Sequence, residues 1–171
     1  MPTTPPRLHF TPPTIAPHAD RLITAELPIL IDTREQLPYS YPGARRATLA
    51  TGDYTVEGYE SRIAVERKSL QDYLGCVGRG RDRFERELER LTAFDYPAIV
   101  IEASLEDFLG PYEISKVHPA AAINSMIAWS IRYGVHVWLA GSRDLAETLT
   151  YRLLQHFVRL ASESSEGVPG E

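Results

Sequence analysis

The chain has 171 residues, of which 43% are hydrophobic, and a formal net charge of −5. This length allows one domain with a substantial core, and no apolar run approaches the ~20 residues of a membrane span. The single cysteine, Cys76, excludes an internal disulfide framework and predicts a reducing, cytoplasmic compartment.

The two ends of the chain have the composition of disordered segments. Residues 1–27 contain six of the thirteen prolines, which predicts an extended, poorly ordered arm. Residues 162–171 are rich in Ser, Glu and Gly and predict an acidic disordered tail. The folded domain is therefore predicted to span residues 28–161.

The first part of this domain is predicted to consist of short strands. Residues 28–32 form a short apolar run typical of a buried strand. The chain then leads into a turn at Gly52. Residues 54–56 and 63–68 are predicted to pair as an antiparallel hairpin through a turn at residues 57–60.

The rest of the domain is predicted to alternate helices with strands. Helices are indicated by apolar residues three or four positions apart, and strands by short continuous apolar runs. This alternation predicts an α/β domain with a mixed sheet. The predicted elements are helices at residues 69–75, 83–91, 120–133 and 142–160 and strands at residues 98–102 and 135–139.

The predicted hairpin gathers charged side chains at its open end. Asp53 and Glu66 are expected to lie opposite one another, and two such acids repel unless a cation or proton lies between them. Strand alternation places Lys68 on the same face as Glu66, while Arg67 points away. A Glu-Arg-Lys triplet alone is commonly a solvated strand end. Its spacing from Asp53 favours a metal site for phosphodiester cleavage.

Three short blocks, in order, resemble the signature of the XPF-type structure-specific endonucleases, a branch of the PD-(D/E)xK superfamily. They are D-x-R-E at a strand end, G-D followed by E-R-K-x-x-x-D, and a basic-aromatic helix. The resemblance covers about residues 28–160 and implies a restriction-endonuclease-like fold with a mixed central sheet flanked by helices. The blocks consist here of Asp32, Arg34, Glu35, Gly52, Asp53, Glu66, Arg67, Lys68, Asp72, Arg83, Phe84, Arg90 and Leu91.

The resemblance implies a Mg²⁺-dependent endodeoxyribonuclease, with Mn²⁺ as a substitute, that cuts branched, flapped or distorted DNA in repair or recombination. Asp53, Glu66 and Lys68 are the implied catalytic residues. Metal ligands are expected from Asp53, Glu66 and the Arg67 carbonyl, with Asp32 and Glu35 binding the same or a second ion.

Two further residues are assigned structural roles near this site. Gly52 is expected to form the turn before Asp53. Asp72 completes a capping box with Ser69, which predicts that it orients the following helix and does not bind metal.

The net acidic charge argues against a nucleic-acid partner, but its distribution weakens that objection. Many of the acidic residues lie in the tail and in the predicted metal cluster. Basic residues are concentrated at residues 45–46 and at residues 79–86. The segment 78–81 reads equally well as a flexible solvated loop. The residues expected to contact DNA are Arg34, Arg45, Arg46, Arg79, Arg81 and Arg83.

The chain departs from the family pattern in two ways. Glu87 stands where the family usually has Gln in the third block, and no helix-hairpin-helix module follows residue 161. A separate protein could supply junction binding. The apolar helices at residues 120–133 and 142–160 indicate either core packing or a homodimer with Trp129 or Phe157 among its contacts.

Two alternatives to this function stay open. One is a non-catalytic DNA-binding scaffold subunit, although such subunits have typically lost the acids and the lysine that this chain retains. The other is a phage or mobile-element PD-(D/E)xK nuclease with sequence preference, which the missing helix-hairpin-helix module keeps open.

Overall fold

The structure is a computed structural model that describes residues 27–166, with side chains up to residue 163. The predicted arm, apart from its last residue, lies outside the described residues. The strands are β1 (Ile29–Asp32), β2 (Arg45–Ala47), β3 (Tyr54–Val56), β4 (Ile63–Ser69), β5 (Tyr96–Glu102) and β6 (His136–Leu139). The helices are α1 (Leu70–Val77), α2 (Arg81–Leu91), α3 (Pro119–Tyr133) and α4 (Arg143–Glu166), with a 3-10 turn at Glu106–Phe108.

The six strands form one mixed sheet in the order β2-β1-β3-β4-β5-β6. β3 is antiparallel to both β1 and β4, whereas β1–β2, β4–β5 and β5–β6 are parallel pairs. The carboxyl ends of β1 and β4 therefore meet the start of β3 at the same edge of the sheet. This edge collects the acidic residues that the sequence singles out.

Helices cover both faces of the sheet. Ala64, Ile99 and Ile101 face a core formed with α1, α2 and α3. Val65 and Val100 face the opposite core, which contains the buried residues of α4. Because successive strand residues point to opposite faces, β4 and β5 need apolar residues at every central position, as the continuous runs predict. The restriction-endonuclease-like α/β fold with a mixed sheet is thus confirmed.

Some boundaries differ from those predicted. The sequence does not predict β2 as a strand, because its Arg-Arg-Ala sequence has an exposed, polar composition and needs β1 to pair with. Helix α1 continues past Gly75 to Val77. Helix α4 runs to Glu166, so residues 162–166 of the predicted tail are helical, and residues 167–171 lie outside the described residues.

The two aromatic residues predicted at a dimer interface pack within the chain to different extents. Trp129 is 2% exposed and packs against Tyr73 and Phe84 within the chain. Phe157 is half-buried and contacts the rings of Tyr59 and Tyr96. The burial of Trp129 does not fit a dimer contact, whereas a contact of half-buried Phe157 stays a prediction, because helical periodicity reports an apolar face without saying which partner covers it. Among the described helices, none combines the length and apolarity needed to cross a bilayer.

Candidate active site

The β3–β4 hairpin places Asp53 beside the carboxyl half of β4. Gly52 has a φ of 78°, and a Cβ there would lie 3.1 Å from the Ala64 Cβ, so the turn needs glycine. The Asp53 amide donates to the Val65 carbonyl at 2.9 Å. The Asp53 Oδ2 accepts the Arg67 amide at 2.8 Å. The predicted hairpin register and the structural role of Gly52 match this geometry.

Glu66 and Lys68 lie on one face of β4 and form an ion pair. Their side chains are only 5% and 14% exposed, respectively. The Lys68 Nζ also lies 5.1 Å from the centre of the Phe84 ring, which contributes a cation–π contact. Packing and pairing hold the lysine beside the carboxylate, so its amine has a fixed position in the cleft.

Burial determines the protonation chemistry of the two carboxyl groups. It raises the pKa of Asp53 to about 6, against the opposing effect of the Arg67 amide and the Lys68 charge. It raises the pKa of Glu66 well above its usual range, and Asp53 and Glu87 add to that rise. Burial alone would lower the pKa of Lys68, but Glu66 and Glu87 outweigh it and raise that pKa.

The burial and mutual repulsion of these two carboxyl groups suit the binding of a hard cation. Two buried carboxylates that face one cleft are stabilised as anions when a divalent ion lies between them, and their oxygens are ligands that Mg²⁺ prefers. Arg67 lies in β4, and its amide donates to the Asp53 carboxylate. Its backbone carbonyl oxygen therefore belongs to the residue that holds Asp53. Among residues 27–163, no three His, Cys, Asp or Glu side chains are grouped closely enough to hold an ion alone. A metal site here would therefore need backbone oxygen or water in addition to the two carboxylates.

Asp32 is engaged differently from what its predicted metal role requires. Its carboxylate accepts the Arg34 amide and Nε, both at 2.7 Å, and the Arg34 Nη2 at 3.0 Å. It also accepts the Leu49 amide at 2.8 Å. Burial opposes ionisation of Asp32, but the Arg34 contacts outweigh it and lower its pKa to about 2. Both oxygens are occupied, so the expectation that Asp32 ligates metal does not fit this geometry.

Arg67 connects the cleft to an ion-pair network behind it. Its side chain points away from Lys68, as predicted, and its Nε and Nη2 donate to Glu102 at 2.7 and 2.9 Å. Glu102 also accepts the Tyr39 hydroxyl at 2.9 Å and Arg143 Nη1 at 3.1 Å. This network fixes the backbone of Arg67, whose amide holds Asp53.

Glu35 lies at the edge of this network. Its Oε1 accepts the Leu37 amide at 2.7 Å and lies 3.5 Å from Arg67 Nη1. The side chain is 9% exposed and lines the cleft. Unlike Asp32, Glu35 keeps free acceptor capacity toward the cleft.

Asp72 caps helix α1. The Asp72 amide donates to the Ser69 Oγ at 3.1 Å, and the Ser69 hydroxyl donates back to the Asp72 carboxylate at 2.6 Å. This reciprocal arrangement satisfies the first turn of the helix. The predicted capping role of Asp72 is confirmed.

A single open cleft of about 510 Å³ contains the predicted catalytic residues. Sequence reasoning missed Glu87 and Arg90 as parts of its wall. With Arg83 they recur at helical spacing beside the buried stripe of α2, a pattern that could have indicated a polar face toward the site. The cleft is lined by Asp32, Arg34, Glu35, Gln36, Leu37, Ala50, Thr51, Gly52, Asp53, Glu66, Arg67, Lys68, Asp72, Glu87 and Arg90.

Of the arginines predicted to contact DNA, three near β1 and β2 have partners within the protein. Arg34 holds Asp32, as described above. Arg45 forms an ion pair with Glu57. Arg46 Nη2 donates to the carbonyls of Thr33 and Glu35 at 3.0 and 2.7 Å. Each of the three therefore has an intramolecular partner, and all three are exposed.

The second group of arginines predicted to contact DNA consists of Arg79, Arg81 and Arg83, and only Arg81 has an ion-pair partner among the described residues. Arg81 pairs with Glu85, hydrogen bonds the Ser125 hydroxyl and lies 4.9 Å from the centre of the Trp129 ring. Arg79 and Arg83 are exposed and form no ion pair with side chains in the described range. They are therefore the members of this group that are available to a ligand.

Comparison with known proteins identifies the class of this domain. Residues 31–153 match the family model described as the ERCC4 domain. XPF from Aeropyrum pernix has a similar structure, with a TM-score of 0.59 and 18% identity over 76% of this chain and 60% of that chain. The same archaeal protein in complex with DNA gives a TM-score of 0.60 and 19% identity over 81% and 66% of the two chains. No curated protein sequence matches significantly.

The family model matches most of the chain, and the fold agrees with that of the archaeal XPF structures. The chain therefore belongs to the ERCC4 domain family and shares the fold of the archaeal XPF structures. It spans about 60% of the first XPF chain that it matches.

Proposed function

We propose that this protein is a divalent-metal-dependent endonuclease that hydrolyses phosphodiester bonds in branched, flapped or distorted DNA. The observation that carries the proposal is the arrangement of Asp53, Glu66 and Lys68 in one open cleft. Burial and mutual repulsion prepare the two acids for a cation, and the lysine is fixed next to them. The retained acids and lysine favour an enzyme over a non-catalytic scaffold.

The residues that would hold the ion are Asp53, Glu66 and the Arg67 carbonyl, with Glu35 at the cleft edge. Their oxygens fit Mg²⁺, with Mn²⁺ as a substitute. When bound, such an ion offsets the charge that develops on the scissile phosphate. The Arg67–Glu102 network keeps the carbonyl and the Asp53 carboxylate in place.

Lys68 provides a fixed positive charge for the reaction. Its amine stays protonated, because the carboxylates of Glu66 and Glu87 raise its pKa. A protonated amine donates hydrogen bonds, so Lys68 either orients the attacking water or stabilises charge on the phosphate oxygens. Preorganised donors of this kind are among the larger contributions to catalysis.

The DNA contacts proposed for this chain are fewer than the sequence predicts. Arg79 and Arg83 are exposed and form no ion pair within residues 27–163, whereas Arg34, Arg45, Arg46 and Arg81 have partners inside the protein. DNA repair or recombination is the biological setting that XPF membership favours. With few phosphate contacts, binding should be modest and salt-sensitive.

A panel of substrates tests this function. Duplex, single-stranded, flapped and forked DNA are incubated with the protein and Mg²⁺, and products are resolved on denaturing gels. We expect nicking of several branched substrates with little sequence preference, and no nicking in EDTA. Cleavage confined to one short duplex sequence would instead favour the restriction-like alternative, and no cleavage of any substrate would favour a scaffold.

We also propose that the domain forms a homodimer through α3 and β6. Ile127 and Ile131 on α3 are 51% and 79% exposed. With Val137 and Leu139 nearby, an apolar depression of about 260 Å³ lies between α3 and β6. An exposed apolar surface of this kind is typical of a protein interface.

Sedimentation of the full chain tests the dimer. Wild-type protein at tens of micromolar should sediment at twice the 19.2 kDa chain mass. Ile131→Glu should give a folded monomer, because it places a charge in the interface. Thr48→Glu, which changes an exposed residue just after β2, at the opposite edge of the sheet from β6, is the control. A wild-type monomer throughout this range contradicts the proposal.

A further inference from the structure

The wall of the cleft contains a buried hydroxyl group that no residue of the described chain engages. Thr51 lines the cleft and is 7% exposed, yet its Oγ1 has no hydrogen-bond partner within residues 27–163. Buried side-chain oxygens nearly always have a partner, because an unpaired one loses the hydrogen bonds that water would give it. The Tyr133 hydroxyl is also buried and unpaired in this range, but Tyr133 does not line the cleft. At Thr51, a ligand of the cleft can supply the missing partner.

The turn that carries Thr51 is held at both ends. Before it, the Leu49 amide donates to the Asp32 carboxylate at 2.8 Å. After it, the Asp53 amide donates to the Val65 carbonyl at 2.9 Å, and the Asp53 carbonyl accepts the Asp32 amide at 2.8 Å. Because these bonds fix the backbone on either side, rotation about χ1 is the main freedom left to the Thr51 side chain.

This rotation changes the direction of the hydroxyl and leaves the turn in place. The staggered χ1 positions of a side chain lie about 120° apart, and a step between them moves one substituent of Cβ to the place of another. In the described conformation the Oγ1 of Thr51 is shielded from solvent. Because the residue lines the cleft, one such step is the route by which its hydroxyl reaches a ligand there.

The cation that the proposed function needs would provide a suitable partner. Mg²⁺ prefers octahedral coordination and usually keeps several waters, so the carboxylates of Asp53 and Glu66 leave positions that water fills. A water bound to a cation is a strong hydrogen-bond donor and needs acceptors. Thr51 is separated from Asp53 by Gly52 alone, so its hydroxyl belongs to the same turn as one of the two carboxylates.

We propose that the Thr51 hydroxyl turns toward the cleft and accepts a hydrogen bond from a water bound to the divalent cation. Thr51 is then a positioning residue, because it acts through the water that it orients. Outer partners of this kind typically change metal affinity by roughly 10- to 100-fold. The inference rests on the proposed function and adds a residue that lies outside the three sequence blocks.

Thr51→Val tests this role, because valine has nearly the shape of threonine and lacks the hydroxyl. Binding of Mn²⁺ to the full chain is measured without DNA, from the electron paramagnetic resonance signal of the free ion. Thr51→Val should bind Mn²⁺ about tenfold more weakly than wild type, and Thr51→Ser, which keeps the hydroxyl, should stay within about threefold. In EDTA, Thr51→Val should melt at the wild-type temperature or higher, because it removes an unpaired buried hydroxyl.

Tyr133→Phe is the matched control for these measurements. It also removes an unpaired buried hydroxyl, but at the end of α3 and outside the cleft. Its Mn²⁺ affinity should stay within about twofold of wild type, and its melting temperature in EDTA should not fall. A loss of affinity in Thr51→Val alone would therefore report the position of the hydroxyl and not the removal of a buried polar group.

Three results overturn the inference. They are wild-type Mn²⁺ affinity in Thr51→Val, an equal loss of affinity in Thr51→Val and Thr51→Ser, and a Thr51→Val melting temperature in EDTA that is clearly below wild type. The last result would give the hydroxyl a partner within the fold. Failure of the proposed function looks different, because wild type would then bind Mn²⁺ but nick no DNA substrate. Wild type that binds no Mn²⁺ at millimolar concentrations contradicts both proposals.

Discussion

The cleft and the α1 groove, the adjoining depressions along helix α1 that are lined by Arg79, Arg83 and Lys116, share Lys68 and Asp72 but organise charge in opposite ways. In the cleft, charged side chains hold one another, as in the pairs of Lys68 with Glu66 and Arg34 with Asp32. In the groove, Arg79 and Lys116 have no ion-pair partner in the described chain. Catalysis of phosphate transfer needs charges in fixed positions, whereas DNA binding gains from accessible charges that displace counterions. Under the proposed function, the cleft would perform the first of these tasks and the groove the second.

The largest effect is expected from the two acids of the cleft. Asp53→Asn and Glu66→Gln should abolish cleavage and Mg²⁺ binding, measured by gel assay and calorimetry. In EDTA Asp53→Asn should melt at the wild-type temperature or higher, because it no longer repels Glu66. Glu66→Gln should melt lower, because it leaves the buried Lys68 amine without its carboxylate partner. Glu60→Gln, an exposed acid in the hairpin turn, is the control. Wild-type cleavage by folded Asp53→Asn would contradict the assignment.

Lys68 should show the separation between catalysis and binding most directly. Lys68→Ala should lower kcat about 100- to 1000-fold, the range seen when one preorganised donor is removed. DNA affinity, measured by anisotropy in EDTA, should change far less, because the amine is engaged by Glu66 and contributes little to the exposed field. If turnover is normal, Lys68 is only the ion-pair partner of Glu66.

Stability should distinguish the buried pairs from the exposed ones. Glu102→Ala removes the partner of Arg67, whose side chain is 9% exposed, and should lower the free energy of unfolding by about 3–5 kcal/mol. Asp95→Asn breaks the exposed pair with Arg62 and should cost less than about 1 kcal/mol. Urea titration measures both. Equal, small losses would mean that the Glu102 network is not structural.

In the groove, the expected effect is on binding alone. Arg79→Ala with Arg83→Ala should reduce the salt slope for duplex-containing DNA by about 0.9 for each phosphate that these arginines neutralise in the wild type. Turnover at saturating DNA should stay near wild type. Arg81→Ala should leave the slope unchanged and lower the melting temperature, because Arg81 is stacked on Trp129. A slope that survives the double change would place the DNA path elsewhere.

The smallest effect is expected from Glu87, which lies in the cleft wall. Its charge adds to the field that raises the pKa of Asp53 and Glu66, after the larger effect of burial. Glu87→Gln should raise the Mg²⁺ concentration for half-maximal cleavage a few-fold, because the ion loses a nearby negative charge. Glu89→Gln, exposed on the same helix, should leave it unchanged. A large loss of kcat would instead make Glu87 part of the catalytic group.

The hairpin chemistry could be predicted from the sequence because it depends on local geometry. The spacing between Asp53 and Glu66 follows from one turn and the pairing of two short strands. The opposite directions of Lys68 and Arg67 follow from the period of a strand. The Ser69–Asp72 cap is confined to four consecutive residues. These features need no information about distant segments, and the structure agrees with each of them.

The roles of other charged and aromatic residues were decided by tertiary contacts. From the sequence pattern Asp32 resembles a metal ligand. In the fold, the amide of Leu49, which is distant in sequence, donates to the Asp32 carboxylate. From the sequence pattern Arg81 resembles a DNA contact. In the fold, Ser125 and Trp129 of α3 lie against its side chain. Each side chain contacts the partner that folding brings nearest to it. The sequence pattern does not show which distant residues become neighbours. The sequence determined which groups could perform phosphodiester chemistry, and the packing of helices on the sheet decided which of them remained available.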